Sequence, residues 1–285
     1  MTVSANTKLY GLIGNPTAHS LSPLLFSSLA ELMGHNLLYT TFTVAVGDDA
    51  LAKAVAGGYE LGIGGFNITA PFKEKVIPYL AEMDEAAVQI GAVNTLLRGE
   101  HGFIGYNTDH IGLWRALKAA EIELEDAKVL LMGAGGAARA AAYACGDKGA
   151  NTVLVFNRSN KRAARLVNDM NGYFGGNRFK IVTDLDDEQL GQSDLVAIKC
   201  TSPAADSWLE MVINPQIYER ITAAMDINYH SEEMFFLKTV VKAGGKAYNG
   251  LMMLLHQGIA AYELWHHVDV PCEIKDKIAA RLAAV

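Results

Sequence analysis

The sequence predicts an α/β protein of two domains, and three observations carry that prediction. Short β-rich runs alternate with helical patterns from end to end, as layered α/β architecture requires. A strand candidate, a glycine-rich turn and an alanine-rich helix follow one another over Lys128–Lys148, the opening of a doubly wound nucleotide-binding unit. The chain has 285 residues, 51% hydrophobic and 19% charged, enough to fill two modest cores and to exclude wholesale disorder.

Taken in order, strands are predicted at Leu9–Ile13, Tyr39–Val44, Leu61–Asn67 and Val93–Leu97, with helices beginning near Ser22, Asp48 and Phe72. A long helix starts near Thr108 and runs to Ala120. The acidic, polar stretch Glu121 to Asp126 then reads as a boundary. Beyond it come the strand Lys128–Met132, the helix Ala137–Lys148, and strands near Thr152–Phe156, Phe179–Thr183, Leu195–Cys200 and Ala223–Ile227. Gly250–Trp265 and Pro271–Ala283 are two closing helices. Pattern alone leaves open whether they finish the second domain or cross back to the first.

Composition narrows the function classes. A net charge of -7 argues against a general nucleic-acid binder, which needs a basic face to displace counterions. An anionic small ligand stays compatible, since a pocket can be locally positive. Cys145, Cys200 and Cys272 are odd in number and lack C-x-x-C spacing, so a reducing compartment is expected and neither a disulfide framework nor a zinc site is. Met1 to Leu9 has no apolar signal-peptide core, and no apolar run reaches the roughly 18 residues that span a bilayer. Gly250 to Trp265 is interrupted by His256, Gln257 and Glu263, as suits a buried helix. A cytoplasmic protein without membrane or nucleic-acid partners is expected.

Gly133, Ala134, Gly135, Gly136, Ala137 and Ala138 read as G-x-G-x-x-A between a strand and a helix. The first glycine permits the tight turn, the second lets a pyrophosphate approach the backbone, and small Ala138 lets helix pack on strand. Free amides at the helix start would face the phosphates. A purely steric need for glycine is the plainer reading of such a turn. The end of the next strand favours a ligand: Asn157, Arg158, Ser159, Asn160, Lys161 and Arg162 supply three cations and no acid. An NAD site usually carries an acid there to accept from the ribose, whereas guanidinium groups grip the 2′-phosphate of NADP. NADP is therefore the expected cofactor, with NAD the lesser alternative. The competing reading is a solvated basic turn capped by Ser159 or Asn160.

Three polar clusters stand at predicted strand ends in the first half, where open α/β sheets place ligands. They are His19-Ser20-Leu21-Ser22-Pro23, Asn67-Ile68-Thr69-Ala70-Pro71-Phe72-Lys73, and Asn94-Thr95 with Gly105-Tyr106-Asn107-Thr108-Asp109. Their hydroxyls, amides, one ammonium and one carboxylate suit a small anionic polyhydroxylated acid, and a Lys/Asp pair can move a proton. Each cluster also has a local reading. Ser20 or Ser22 would cap a helix before Pro23, Asn67 and Thr69 would form a turn before Pro71, and Asp109 would cap its helix.

At these residues the sequence resembles the shikimate dehydrogenase family, which includes the quinate/shikimate dehydrogenases. The likeness runs nearly the whole length, through Gly14-Asn15-Pro16, His19 to Pro23, Asn67 to Lys73, Gly91-Ala92-Val93-Asn94-Thr95, Asn107-Thr108-Asp109, Gly133 to Ala137, Asn157 to Arg162, and Gly250-Leu251 with Met253-Leu254 and Gln257. The resemblance implies NADP-linked, reversible reduction of 3-dehydroshikimate to shikimate in a monomer or homodimer, with the active site in the cleft of a two-domain protein. It implies a substrate-binding, catalytic domain over 1–107 plus 250–285, to which the C-terminal helices return, and a Rossmann-like NADP domain over 108–249. Lys73 and Asp109 would form the catalytic pair. Ser20, Ser22, Asn67, Thr69, Asn94, Tyr229 and Gln257 would hold the substrate with them. Gly133, Ala134, Gly135, Gly136, Ala137, Asn157, Arg158, Ser159, Arg162, Thr201, Ile227, Gly250 and Met253 would hold the cofactor, and no metal is implied.

Three segments depart from the family pattern. Phe26-Ser27 replaces a His-Asn pair, Pro203-Ala204-Ala205-Asp206 replaces a Gly-Met pair after Lys199 to Ser202, and His230 to Phe235 replaces proline and Thr-Pro positions after Tyr229. They leave open a paralogue acting on quinate or another ring hydroxy-acid. A non-catalytic NADP-binding sensor on the same fold is a further alternative, since fold does not dictate function. A short-chain dehydrogenase is excluded, because none of the 11 tyrosines has a lysine four positions later.

Overall fold

The computed structural model describes residues 3–185, 190–191, 193–202, 205–229 and 234–284. The departures at Pro203-Ala204 and at His230 to Glu233 lie outside these. The chain packs as two compact units, Met1–Gly112 with Leu254–Val285, and Leu113–Met253.

The first unit contains β1 (Lys8–Gly14), α1 (Ser22–Met33), β2 (Leu37–Thr43), α2 (Asp48–Glu60), β3 (Gly65–Ile68), β4 (Glu82–Met83), α3 (Glu85–Ile90), β5 (Thr95–Arg98) and β6 (Phe103–Tyr106). Its sheet runs β2-β1-β3-β5-β6-β4. The first three of these strands are parallel, and β5 pairs antiparallel with both β3 and β6. The antiparallel step brings Asn67 of β3 into register with Thr95 of β5. Phe66, Phe72, Val76, Val93, Leu96 and Phe103 fill the core beneath them, each at most 2% exposed.

The second unit holds β7 (Lys128–Met132), α5 (Gly136–Asp147), β8 (Thr152–Phe156), α6 (Asn160–Phe174), β9 (Phe179–Val182), β10 (Leu195–Lys199), α7 (Asp206–Val212), β11 (Ile221–Asp226), α8 (Phe235–Lys242) and β12 (Lys246–Asn249). The sheet is parallel throughout, in the order β12-β11-β10-β7-β8-β9. Its strands are nearly continuous apolar runs, such as Val153, Leu154, Val155 and Phe156, as a sheet covered on both faces demands. The order reverses between β7 and β10, the switch point at which doubly wound sheets bind ligands.

The described residues further include the helices α4 (Asp109–Ala119), α9 (Leu251–His266) and α10 (Cys272–Ala283). The question left open about the two closing helices is resolved: the C-terminal segment belongs to the first unit. The Trp265 indole donates to the Leu96 carbonyl at 2.9 Å, and the Tyr262 hydroxyl lies 2.6 Å from His35 Nδ1. Bare Gly65 makes room, since a Cβ there would stand 2.5 Å from both the Leu96 carbonyl oxygen and the Trp265 indole nitrogen. The divide itself falls within α4 and α9 rather than at their starts.

Several expectations need correction. No α-helix begins at Phe72; a turn leads instead into a short 3-10 segment, Ile77–Tyr79. Pro78 has no N–H to continue a helix, and its ring would strike the carbonyl four residues back. The strand expected at Leu61–Asn67 begins at Gly65, because α2 runs to Glu60 and Gly62 turns the chain with φ +76°. The acidic stretch 121–126 is not a boundary. Ile122 and Leu124, alternating with its glutamates, are 5% and 3% exposed and join the second unit's core beside Leu113 and Leu117.

Candidate active site

In the first unit, the loops that follow β1 and β3 are stitched together. Thr69 N–H donates to the Ile13 carbonyl at 2.9 Å, and Asn15 N–H donates to that of Ala70 at 3.0 Å. Gly14 permits this, since a Cβ there would lie 2.3 Å from the Thr69 methyl. Lys73 stands between two buried anchors, Phe72 and Val76, and its carbonyl accepts from Val93 N–H at 2.8 Å. The backbone is thus fixed on both sides of a side chain that is 17% exposed.

Asp109 opens α4. Asn107 Oδ1 accepts the Asp109 N–H at 3.0 Å, and Asn107 Nδ2 donates to the Ala92 carbonyl at 2.8 Å. The carboxylate sits in the first helical turn, where the helix dipole favours negative charge. It does not cap the helix in the way the local reading expected. Lys73 Nζ donates to Asp109 Oδ2 at 2.7 Å, and Asn94 Nδ2 donates to Oδ1 at 2.8 Å. Asn94 Nδ2 also reaches Thr108 Oγ1 at 3.0 Å and Gln257 Oε1 at 3.3 Å. Asn67 Nδ2 donates to the Asn94 carbonyl at 3.3 Å, so Asn67, Lys73, Asn94, Asp109 and Gln257 form one hydrogen-bonded cluster.

Neither serine is the N-cap of α1: Leu21 holds that position with no side-chain cap, while Ser20 Oγ accepts the Ser22 N–H at 3.2 Å. Ser22 is 5% exposed and Thr69 half-buried. Asn67 and Asn94, 5% and 2% exposed, have both ends of their amides engaged within the protein, which makes them framework first. Tyr229 belongs to the second unit, half-buried beyond β11. Thr95, a member of the third polar cluster but not singled out for a role, and Tyr39, to which the sequence assigned none, join the same hydrogen-bonded cluster. Alternation along β2 and the Asn94-Thr95 dipeptide were the available signals, and both equally suit ordinary strand residues.

In the second unit the glycine turn follows β7. Gly133 has φ +122°, and a Cβ on it would meet the Cys200 backbone at 3.2 Å, so glycine is required on both counts. Gly135 occupies the N-cap of α5 without a side chain, and Ala138 is fully buried where the helix meets the sheet. The first-turn amides of α5 have no acceptor within the helix. Arg162 Nη2 lies 3.6 Å from where a Gly135 Cβ would be, which brings a guanidinium beside the turn. Arg158 and Arg162 are exposed, and Asn157 Nδ2 donates to the Ser159 carbonyl at 3.0 Å. Ser159 is the N-cap of α6 by position but makes no side-chain cap bond. These groups fit a phosphorylated dinucleotide: bare Cα atoms, unpaired helix amides and two cations.

Beyond β10, Thr201 Oγ1 is buried without a hydrogen-bond partner. Lys199 pairs with Asp226 and Asp206, each at 2.7 Å, and Asn228 Nδ2 ties Asp226 to the Thr201 carbonyl. Gly250 packs against Ile227, and Met253 is buried in the second unit's core. Among the described residues, no group of three or more His, Cys, Asp or Glu is placed to hold a metal ion, and no helix is long and apolar enough to cross a membrane.

A glycine turn at the switch point of a parallel six-stranded sheet, with a lysine–aspartate pair in the other unit, defines a dinucleotide-linked oxidoreductase of the α/β class. Comparison with known proteins makes the class specific. Residues 12–96 match the shikimate dehydrogenase substrate binding domain, and residues 115–214 match the shikimate / quinate 5-dehydrogenase family model. A Carboxydothermus hydrogenoformans protein named shikimate dehydrogenase (NADP(+)) is 35% identical over 280 residues, covering 97% of this chain and 98% of its own. The crystal structure of shikimate dehydrogenase from Aquifex aeolicus superposes with a TM-score of 0.83 at 34% identity, covering 97% of this chain and 99% of the other. That of the Thermus thermophilus enzyme in complex with NADP(H) and shikimate gives 0.80 at 29% identity, covering 97% and 100%. The chain belongs to the shikimate dehydrogenase family.

Proposed function

We propose that this protein is an NADP-dependent dehydrogenase that interconverts 3-dehydroshikimate and shikimate, with Lys73 and Asp109 as its acid–base pair. The observation that carries this reading is the 2.7 Å contact between Lys73 Nζ and Asp109 Oδ2, with the second carboxylate oxygen held by Asn94. Kinship to a family whose relatives are named for NADP and shikimate supports the substrate and cofactor. Bound at the glycine turn, NADP would carry the hydride of the reaction. The chain's own residues handle the proton. In reduction, the Lys73 ammonium donates a hydrogen bond to the keto oxygen and then a proton as that oxygen becomes an alcohol; in oxidation it takes the proton back. Asp109 orients the ammonium and neutralises its charge. Ser20, Ser22, Thr69, Gln257 and Tyr229 would bind hydroxyl and carboxylate groups. Exposed Arg158 and Arg162 would take the 2′-phosphate, with Asn157 and Ser159 shaping their turn. Thr201, Ile227, Gly250 and Met253 would line the nicotinamide side.

Quinate is a second candidate substrate, because the model matched by the second unit names it beside shikimate. The scattered cysteines Cys145, Cys200 and Cys272, odd in number and without C-x-x-C spacing, support a reducing setting such as the cytoplasm. Lys73→Ala should reduce turnover with shikimate by at least about a hundredfold, the usual worth of a positioned acid–base group. NADP affinity, read by fluorescence titration, should stay within about twofold. Near-normal turnover would remove Lys73 from the chemistry.

A further inference from the structure

Hydrogen bonds link Asp109 to a tyrosine on β2, and all of them point one way. Tyr39 hydroxyl donates to Asn67 Oδ1 at 2.8 Å; Asn67 Nδ2 donates to Thr95 Oγ1 at 3.2 Å. Thr95 Oγ1 donates to Asn94 Oδ1 at 3.0 Å, and Asn94 Nδ2 donates to Asp109 Oδ1 at 2.8 Å. Carboxamide orientation is normally ambiguous, yet here two backbone groups fix it. Asn67 Nδ2 also lies 3.3 Å from the Asn94 carbonyl, which only accepts. Asn94 Oδ1 lies 2.7 Å from Thr108 N–H, which only donates. Neither amide can flip without setting like against like, so the Tyr39 hydroxyl must donate to Asn67 Oδ1, while Thr95 Oγ1, which accepts from Asn67, has Asn94 Oδ1 at 3.0 Å and Thr108 Oγ1 at 3.2 Å as the acceptors open to its proton.

We propose that Tyr39 and Thr95 are positioning residues: their hydroxyls, together with those two backbone contacts, hold the Asn67 and Asn94 amides in the orientation that presents Asn94 Nδ2 to Asp109 Oδ1. This leaves Oδ2 facing Lys73. A flipped Asn94 would turn a carbonyl oxygen on the carboxylate and drive it out of line with the lysine. The inference rests on the reading of Lys73 and Asp109 as the reacting pair.

Burial makes the relay strict. Tyr39, Asn67, Asn94, Thr95 and Thr108 are each at most 5% exposed, so water cannot easily replace a lost partner. Tyr39 is itself clamped. Its ring stacks on Phe26 with centroids 4.3 Å apart and planes 11° apart, and Trp265 tilts against both rings. Phe26 is the residue at which this chain departs from the family's His-Asn pair. It gives the relay an apolar backing in place of a side chain that could hydrogen-bond.

The test uses Tyr39→Phe, which keeps the ring stack, with Thr95→Val and the hydroxyl-preserving Thr95→Ser. Two readouts are taken on each purified protein: the Asn94 side-chain amide resonances by NMR, and kcat and KM with shikimate and NADP. The proposal expects displaced Asn94 signals in Tyr39→Phe and Thr95→Val. It expects kcat to fall about tenfold or more, KM for NADP to hold within about twofold, and Thr95→Ser to restore both readouts. A merely structural role would lower stability without a Ser rescue or a kcat-selective loss. Asn94 signals unmoved in both variants would overturn the relay, as would failure of Thr95→Ser to restore them. A wild-type protein inactive on shikimate would strike the functional reading instead, because the amide signals report on the relay without substrate.

Discussion

Lys73 and Asp109 are 36 residues apart in sequence and 2.7 Å apart in space. Both were legible in the sequence as polar residues placed just beyond apolar runs, where a β-strand has ended and a side chain can face a ligand. Tyr39 was not, because a tyrosine inside a strand reads as packing and its hydroxyl partner lies on another strand. The cations after β8 lend themselves to a test at this scale. Arg158 is exposed, and a charged hydrogen bond to a phosphate contributes about 1.5–3 kcal/mol. Arg158→Ala should therefore raise the KM for NADP by roughly tenfold or more while leaving that for NAD nearly unchanged. Equal effects in steady-state kinetics with the two cofactors would dismiss Arg158 from 2′-phosphate recognition.

At the scale of elements, β1 to β3, β5, β7 to β11 and the helices α1, α2, α4, α5, α9 and α10 were legible, whereas α3, α6 to α8, β4, β6 and β12 were not. β4 has only two residues, too few to show alternation, and β12 is a partly exposed edge strand. The missing helix at Phe72 was a matter of Pro78, whose effect on the preceding turn outweighed a favourable apolar spacing. Loop closeness is legible only in the structure. Gly250 follows β12 with its Cα so near β11's end that an added Cβ would sit 2.0 Å from the Ile227 carbonyl oxygen. Backbone cannot yield as a flexible side chain does, and overpacking of this kind costs about 1–3 kcal/mol or more. Gly250→Ala should lower the thermal midpoint by several degrees, roughly 2–4 °C per kcal/mol for a unit of this size, and weaken NADP binding. A melting curve that superposes on the wild type's would show that the two loops are not packed as described.

For the molecule as a whole, two units were expected with divisions at 107/108 and 249/250, and the compact units divide at 112/113 and 253/254, inside the continuous helices α4 and α9. Stability should depend on pH through the end of α9 in the first unit. Burial, with His35, Lys8 and His267 nearby, pushes the His266 pKa down from 6.5 to about 4. Its ring lies among Tyr10, His35 and Tyr262, and its Nε2 is buried without a partner. The unfolded chain takes up this proton more readily than the folded one. The stability conferred by the neutral ring is thus complete above pH 6.5 and is lost as pH falls towards about 4. After allowance for partial exposure the loss is on the order of 1–2 kcal/mol. Urea unfolding across that window should show it, and His266→Phe should flatten it; an unchanged slope would assign the pH dependence to other groups. The account as a whole turns on one assay of the unmodified protein: NADP reduction followed by nicotinamide absorbance, with shikimate and with quinate as substrates. NADPH should form with shikimate. Absence of NADPH with either acid, while NADP still binds, would contradict the account.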